Sequence, residues 1–279
     1  MPLDSYRQGG IRIAKQLTGL CDNCPTLEAL SWRGRQRDGL FHSNTSFFSA
    51  TAMRQCIFIY IDGTDGGATL MLDRAVLDLS HWNEAVDLRA VKDAGVVGVI
   101  HKVTEGDGYQ DPTYKKRRTD AINAGLKWGA YHFMRPGDMQ EQAHFFVYTV
   151  GLSVSTLYAT DYEDENISIS QLKEFLHTVR DLTGRPPVLY GGYVLKENIS
   201  DPDPELADYP LWLAQYTTAD RPSWPTGTWP EWWLWQYSKD GSCPGVEGYV
   251  DVNRYDGTTA DLAAEWAGWR RLPRDKVLV

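Results

Sequence analysis

Cysteine is scarce in this sequence, with four in 279 residues. Cys21 and Cys24 form one C-x-x-C pair, while Cys56 and Cys243 stand alone. A structural zinc site takes four ligands, and neither a second pair nor an H-x3-H partner accompanies this one. A disulfide scaffold belongs to a shorter, denser chain. Long apolar runs are missing too. Cys56-Ile57-Phe58-Ile59-Tyr60-Ile61 is among the longest, and a membrane helix needs about 20 apolar residues, so no span is expected. The first 30 residues hold no apolar core of about 7–15 residues, so no Sec signal peptide is expected either. Basic residues are outnumbered, 28 Lys and Arg against 37 Asp and Glu, for a net charge of −9. A nucleic-acid binder would show a basic stripe. No H-E-x-x-H or H-x-H occurs, which argues against metal hydrolysis and for no cofactor. No G-x-S-x-G elbow occurs, which argues against a serine hydrolase.

What the sequence does have is aromatic surface. It carries 11 Trp and 15 Tyr, and that much Trp exceeds what a core of this size needs. Flat apolar rings stack on sugar faces, so a polymer-binding cleft is one destination for them. The charge is unevenly placed. Residues 1–70 sum to +1 and the remainder to −10. The first stretch also lacks sustained periodicity. Ser43-Asn44-Thr45-Ser46 and Gly63-Thr64-Asp65-Gly66-Gly67 read as loops. Three parts are therefore expected: a weakly ordered or accessory extension over 1–70, a main domain over 71–268, and a tail over 269–279. Met71, or Met53, is a candidate natural start.

From Ala75 the pattern turns regular. Short β-branched runs alternate with amphipathic stretches, several of them ended by Gly, the expected left-handed cap. Val76–Leu79, Val96–Lys102, Lys127–Phe133, Leu157–Tyr162 and Val188–Tyr190 read as strands. Each is followed by a helical segment. Leu211–Tyr216, Trp232–Tyr237 and Tyr249–Asn253 then read as strands without full crossover helices, and Thr259–Trp266 as a closing helix. Five strand–helix repeats with buried-type strands imply a parallel sheet covered by helices. Eight strands in all imply an α/β fold, a modified TIM-like barrel of five β/α units followed by three strands. An open doubly wound sheet would want a phosphate-binding glycine loop after its first strand, and Asp78-Leu79-Ser80-His81-Trp82 is no such loop.

In a β/α barrel, chemistry sits at the C-terminal strand ends. Those ends offer Asp78; Lys102, Thr104 and Glu105; Tyr131 and His132; Asp161 and Glu163; Tyr190; Trp212, Gln215 and Tyr216; Gln236 and Tyr237; and Asp251 with Asn253. Residues i and i+2 of a strand share a face, so Asp161 and Glu163 look into the same space. Two carboxylates beside one cleft are the equipment for cleaving a glycosidic bond. One must stay protonated to donate to the leaving oxygen, and nearby like charges push a carboxyl pKa upward. Asp161, Asp78 and Asp251 can all act on Glu163 in this way. Glu105 either lines the cleft or pairs with Lys102, and the pairing is favoured. Trp224 or Trp229 is expected at the groove rim.

Eight blocks in order carry a resemblance to a known family: Asp78-Leu79-Ser80-x-Trp82, Lys102–Gly106, Gly129–Phe133, Asp161-Tyr162-Glu163, Pro187–Tyr190, Leu211–Tyr216, Trp235–Ser238 and Gly248–Asn253. The stretch from Val76 to Trp266 resembles glycoside hydrolase family 25, the Chalaropsis-type lysozymes, which are peptidoglycan muramidases. The resemblance implies cleavage of the β-1,4 bond between N-acetylmuramic acid and N-acetylglucosamine. It makes Glu163 the general acid and Asp161 the partner that positions the substrate acetamido group or stabilises the positive centre. Asp78 and Asp251 join the acidic groove. Tyr131, Tyr190, Trp212 and Tyr216 match the family's sugar-lining aromatics, and Gln215 and Gln236 are expected beside them. The partner is then bacterial peptidoglycan, met by a monomer without nucleic acid or a membrane span. The chain would stay cytoplasmic until release, through a holin as for a phage endolysin or by another export route as for a bacterial autolysin or an interbacterial toxin. A chitinase-like hexosaminidase and a catalytically dead sugar-binding module are the alternatives.

Overall fold

The computed structural model describes residues 46–52, 55–61, 68–72 and 74–268. The chain divides into two compact units, Met1–Asp73 and Arg74–Val279. In the first, β1 (Ser46–Ala52), β2 (Gln55–Ile61) and β3 (Ala68–Leu72) form an antiparallel sheet in the order β1-β2-β3. These strands fall in the stretch whose sequence lacks sustained periodicity. All three are rich in apolar residues, and β2 carries the β-branched Ile57, Ile59 and Ile61. The expected tail, 269–279, lies outside the described residues.

The second unit is a closed barrel. Its strands are β4 (Ala75–Leu79), β5 (Gly98–Glu105), a short β6 (Tyr109–Gln110) that folds back on β5, β7 (Lys127–Phe133), β8 (Thr156–Tyr162), β9 (Val188–Gly191), β10 (Leu211–Ala214), β11 (Leu234–Gly241) and β12 (Val250–Tyr255). The helices are α1 (Leu88–Asp93), α2 (Tyr114–Asn123), α3 (Met139–Val150), α4 (Ile169–Thr183), α5 (Tyr193–Asn198) and α6 (Thr259–Gly268). Strand order around the ring is β4-β5-β7-β8-β9-β10-β11-β12, and β12 closes onto β4. Every pairing from β4 through to β11 is parallel. β12 is antiparallel to both neighbours.

That direction corrects one expectation. Asp251 and Asn253 were read as the C-terminal end of the last strand. Because β12 runs the opposite way, its first residues, Val250 and Asp251, reach the end of the barrel where the other strands finish. Asn253 lies deeper. A strand of two-residue period reads the same in either direction, so the sequence pattern does not reveal it.

Local signals explain the helix starts. Asp87 caps α1 by accepting from the amides of Arg89 and Ala90, and Asp138 caps α3 through those of Gln140 and Glu141. Ser168 and Gln171 form a reciprocal capping box on α4, which ends at left-handed Gly184 with φ 70°. Inside the ring, period-two positions stack into layers. Val76, Ile100, Leu157, Val188, Trp212 and Leu234 form one buried cluster. Gly129 keeps room in that layer, since a Cβ there would lie 3.0 Å from Ile100 and 3.3 Å from Leu157. At the opposite end from the site, Trp266 of α6 is fully buried, and its indole donates to the Trp128 carbonyl at 2.9 Å.

The buried His101 and His132 face the helices. His101 contacts the Lys102 carbonyl at 2.6 Å and stacks on Trp128. His132 joins Thr104 at 2.8 Å and Gln142 at 3.1 Å. Burial pushes both imidazoles down to about 4, which suits neutral structural residues.

Candidate active site

The register builds the site. Asp78 on β4 pairs directly with Asp251 on β12, and Gln236 on β11 with Asn253. Asp161 pairs with Tyr190 on one side and Phe133 on the other, and Tyr131 pairs with Lys102. Directly opposed residues share a face of the sheet. Asp161 continues the inward row of Leu157 and Ala159. Glu163, two residues on, lies just past the end of β8 and reaches solvent. One ring of side chains therefore crowns the apolar core: Asp78, Asp251, Gln236, Tyr190, Asp161 and Tyr131.

The hydrogen bonds in this ring have a fixed sense. The Trp212 indole can only donate, and it donates to Asn253 Oδ1 at 2.6 Å. Asn253 Nδ2 therefore faces the other way, donating to Asp78 Oδ2 at 2.7 Å and to the Val76 carbonyl at 3.0 Å. Tyr190 and Tyr216 both donate to Gln236 Oε1, at 2.9 and 2.7 Å. Gln236 Nε2 donates to the same Asp78 Oδ2 at 3.0 Å.

Burial raises all four carboxyl groups above their ordinary values, and each then feels its neighbours. For Asp78, burial is opposed by the bonds from Asn253, Gln236 and Asp251. Asp161 is driven well up by burial and then by the charges of Glu163 and Asp78, with Lys102 pulling the other way. Glu163 is raised by burial and by Asp78, with a hydrogen bond to Tyr190 opposing. Asp251 is pushed to about 8 by burial, by the Asp78 charge and by its hydrogen bond to Asp78. Asp78 and Asp251 face each other directly, so a charge on one disfavours a charge on the other. Asp161 Oδ1 is buried and has no hydrogen-bond partner in the protein.

The other expected residues fall at different depths. Tyr131 is half-buried and meets Trp212 edge-on at 6.5 Å. Tyr190 meets Trp212 edge-on at 4.6 Å. Trp212 itself is 2% exposed, so it supports the ring from below. Gln215 is committed to a loop: it accepts from the Ser223 amide at 2.6 Å and donates to Ser223 Oγ at 3.1 Å. Tyr216 is half exposed at the mouth. Glu105 pairs with Lys102 and Arg135. Burial works against its charge, but the bonds from those two cations prevail and hold its carboxyl low. Trp229 is not at the rim. It is buried and donates to the Tyr209 carbonyl at 2.8 Å, because the Pro/Trp-rich loop folds into the wall. Trp224 is half-buried and donates to the Trp229 carbonyl at 2.9 Å.

Sequence reasoning missed two groups beside the mouth. Arg135 bridges Glu105 and Asp164. Buried Asp111 accepts from the His81 amide at 2.8 Å and meets its ring at 3.1 Å. No local motif flags either, since the partners are about 30 residues apart in sequence. Exposed rings also gather at this end: Trp82, Tyr216 and Tyr249 on its loops, Tyr109 in β6 and Tyr193 at the start of α5. Among the described residues, no cluster of three His, Cys, Asp or Glu side chains is arranged to hold a metal ion, and no helix is long and apolar enough to cross a membrane.

A β/α barrel with four carboxylates converging at the catalytic end of its strands is the architecture of a glycoside hydrolase. Residues 77–246 match the model of glycosyl hydrolases family 25, and the chain belongs to that family. The match stops before Asp251 and Asn253, which the fold returns to the side of Asp78. The chain is 31% identical over 206 residues to lysozyme M1 of Streptomyces globisporus, covering 67% of this chain and 69% of that one. It is 26% identical over 199 residues to the N,O-diacetylmuramidase of Chalaropsis sp, covering 62% and 94%. The bacterial lysozyme structure from Streptomyces coelicolor superposes with a TM-score of 0.64 at 30% identity, covering 70% of this chain and 97% of that one.

Proposed function

We propose that Glu163 is the general acid with which this peptidoglycan hydrolase, a lysozyme, cuts the β-1,4 bond between N-acetylmuramic acid and N-acetylglucosamine. The observation that carries the reading is the placing of Glu163 at the solvent edge of a buried acid ring, two residues beyond Asp161, where partial burial and the Asp78 charge push its carboxyl upward. A raised carboxyl is the better proton donor to a leaving oxygen. Asp161 is its partner. The free, buried Oδ1 of Asp161 is an acceptor suited to a substrate acetamido N–H. Asp78 and Asp251 supply negative charge below the oxocarbenium-like transition state. Tyr131, Tyr190 and Tyr216 offer faces to sugar rings above the Trp212 layer, with Gln236 in the floor and Gln215 holding the adjacent loop. No cofactor enters this scheme.

All four carboxylates come from one barrel, so the site needs no residue from a second subunit, which supports a monomer as the active unit. Its place of action is the bacterial wall, with delivery through a holin or another export route. Replacing Glu163 by Gln should lower the rate on purified peptidoglycan by about 10²–10⁴ and leave the melting temperature unchanged. Mass analysis of the products should show new muramic-acid reducing ends. New N-acetylglucosamine ends would point to a different hexosaminidase, binding without product to a sugar-binding module. Near-normal clearing by Glu163→Gln would remove Glu163 from its role.

A further inference from the structure

We propose that Asn253 and Gln236 are positioning residues that aim two N–H donors at Asp78 Oδ2 and so favour its charge, with the Trp212 indole fixing which way Asn253 faces and Tyr190 and Tyr216 holding the Gln236 oxygen. This rests on the reading of Glu163 as the acid and goes beyond it, because it says what keeps the neighbouring charge in place.

The argument is one of donors and acceptors. An amide can be turned end for end, and the two orientations have opposite effects on a carboxylate. Asn253 is not free to turn. It is fully buried and held between an indole N–H, which only donates, and the Val76 carbonyl, which only accepts. Turning it would oppose donor to donor and acceptor to acceptor. Gln236 receives two phenol hydroxyls on Oε1 and faces Asp78 with Nε2, so turning it would set its oxygen against the carboxylate. Both nitrogens then converge on one oxygen, Asp78 Oδ2. A proton on that oxygen would collide with two N–H groups, and two donors favour the charged form of the carboxyl. In the Asp78–Asp251 pair they therefore bias the charge towards Asp78 and the proton towards Asp251.

The same network borders the acid: Tyr190, which donates to Gln236 Oε1, also acts on Glu163 and favours its charged form. The titratable groups around Asp78 are Asp251 from β12, Asp161 and Glu163 from the β8 end, Tyr131 from β7, Tyr190 from β9 and Tyr216 from the loop after β10. Lys102 of β5 is the cation that acts on Asp161.

The test is the pH profile of kcat/KM on purified peptidoglycan for the full-length protein and for Gln236→Met, Asn253→Leu and Tyr216→Phe. The acidic limb belongs to the coupled carboxylate set. Removing a donor to Asp78 makes the anion harder to form, so that limb should move to higher pH by about half a unit or more in Gln236→Met and Asn253→Leu. Tyr216→Phe should move it the same way by less. Melting curves establish which variants fold. The Tyr216 ring reaches solvent, so that variant keeps the test intact if the buried amides do not tolerate change. A uniform loss of rate with both limbs in place would overturn the proposal, since that is what mere structural support predicts. Full activity in Glu163→Gln would instead overturn the underlying reading, whatever the amide variants do.

Discussion

Asp251 faces Asp78 across an antiparallel pair, where two like charges are destabilising. The molecule meets this by keeping a proton on Asp251, whose carboxyl is pushed up to about 8 by burial and by Asp78. The effect on folding has a definite sign. An unfolded aspartate releases its proton near the ordinary value of about 3.9, while the folded one keeps it to about 8. Between those values the native state binds more protons, so stability is fully present below about pH 4 and is lost as pH rises through the folded value. The upward directions for Asp78, Asp161 and Glu163 act in the same sense. The melting temperature should therefore fall between pH 5 and pH 8. Asp251→Asn keeps a donor towards Asp78 but does not titrate, so its melting temperature should fall less steeply over that range. Equal slopes in the two proteins would show that the shared proton is not what sets the dependence.

At the scale of elements, α6 closes the end of the barrel away from the site. Gly98 opens β5 directly against it. A Cβ at Gly98 would lie 2.8 Å from Trp266 Cη2 and 3.0 Å from Lys127 Cβ. Gly98→Ala should cost about 1–3 kcal/mol through overpacking. Trp266→Phe, which leaves space, should cost less in the Gly98→Ala background than in the native one. Thermal melts of the four proteins in this cycle measure the coupling, and simple additivity would mean that the two side chains do not compete for the same volume. The five β/α repeats were legible because parallel strands buried on both faces read as unbroken β-branched runs, as in Val96–Lys102. The acid ring was legible because Asp78 and Asp161 sit at the ends of such runs. The direction of β12 was not, because Val250-Asp251-Val252-Asn253 alternates equally well either way. Nor was the depth of Trp212 or the loop duty of Gln215. Both depend on partners 41 and 8 residues away, which no local spacing encodes.

At the scale of the whole molecule, charge and chemistry are carried by the same part. Residues 71–279 hold a formal charge of −10, and residues 1–70 hold +1. Every carboxylate of the site, and every side chain bonded to Asp78, lies between Asp78 and Asn253. A protein beginning at Met71 should therefore keep full activity per molecule on purified walls, and a large loss would assign residues 1–70 a part in catalysis. The acidity of the barrel has its own consequence. A wall rich in anionic polymer repels a barrel of the same sign over a distance set by the Debye length, about 30 Å at 0.01 M salt and about 8 Å at 0.15 M. Clearing of native walls should rise across that range as the repulsion is screened. It should rise much less on walls stripped of their anionic polymers, where only the sugar strands remain. The acid ring is buried and screened far less than the surface, so if it carries the proposed chemistry the salt effect belongs to the approach and not to bond cleavage. It should appear in kcat/KM at low wall concentration and fade at saturation. A salt response of equal size on stripped and native walls would place its origin inside the site instead.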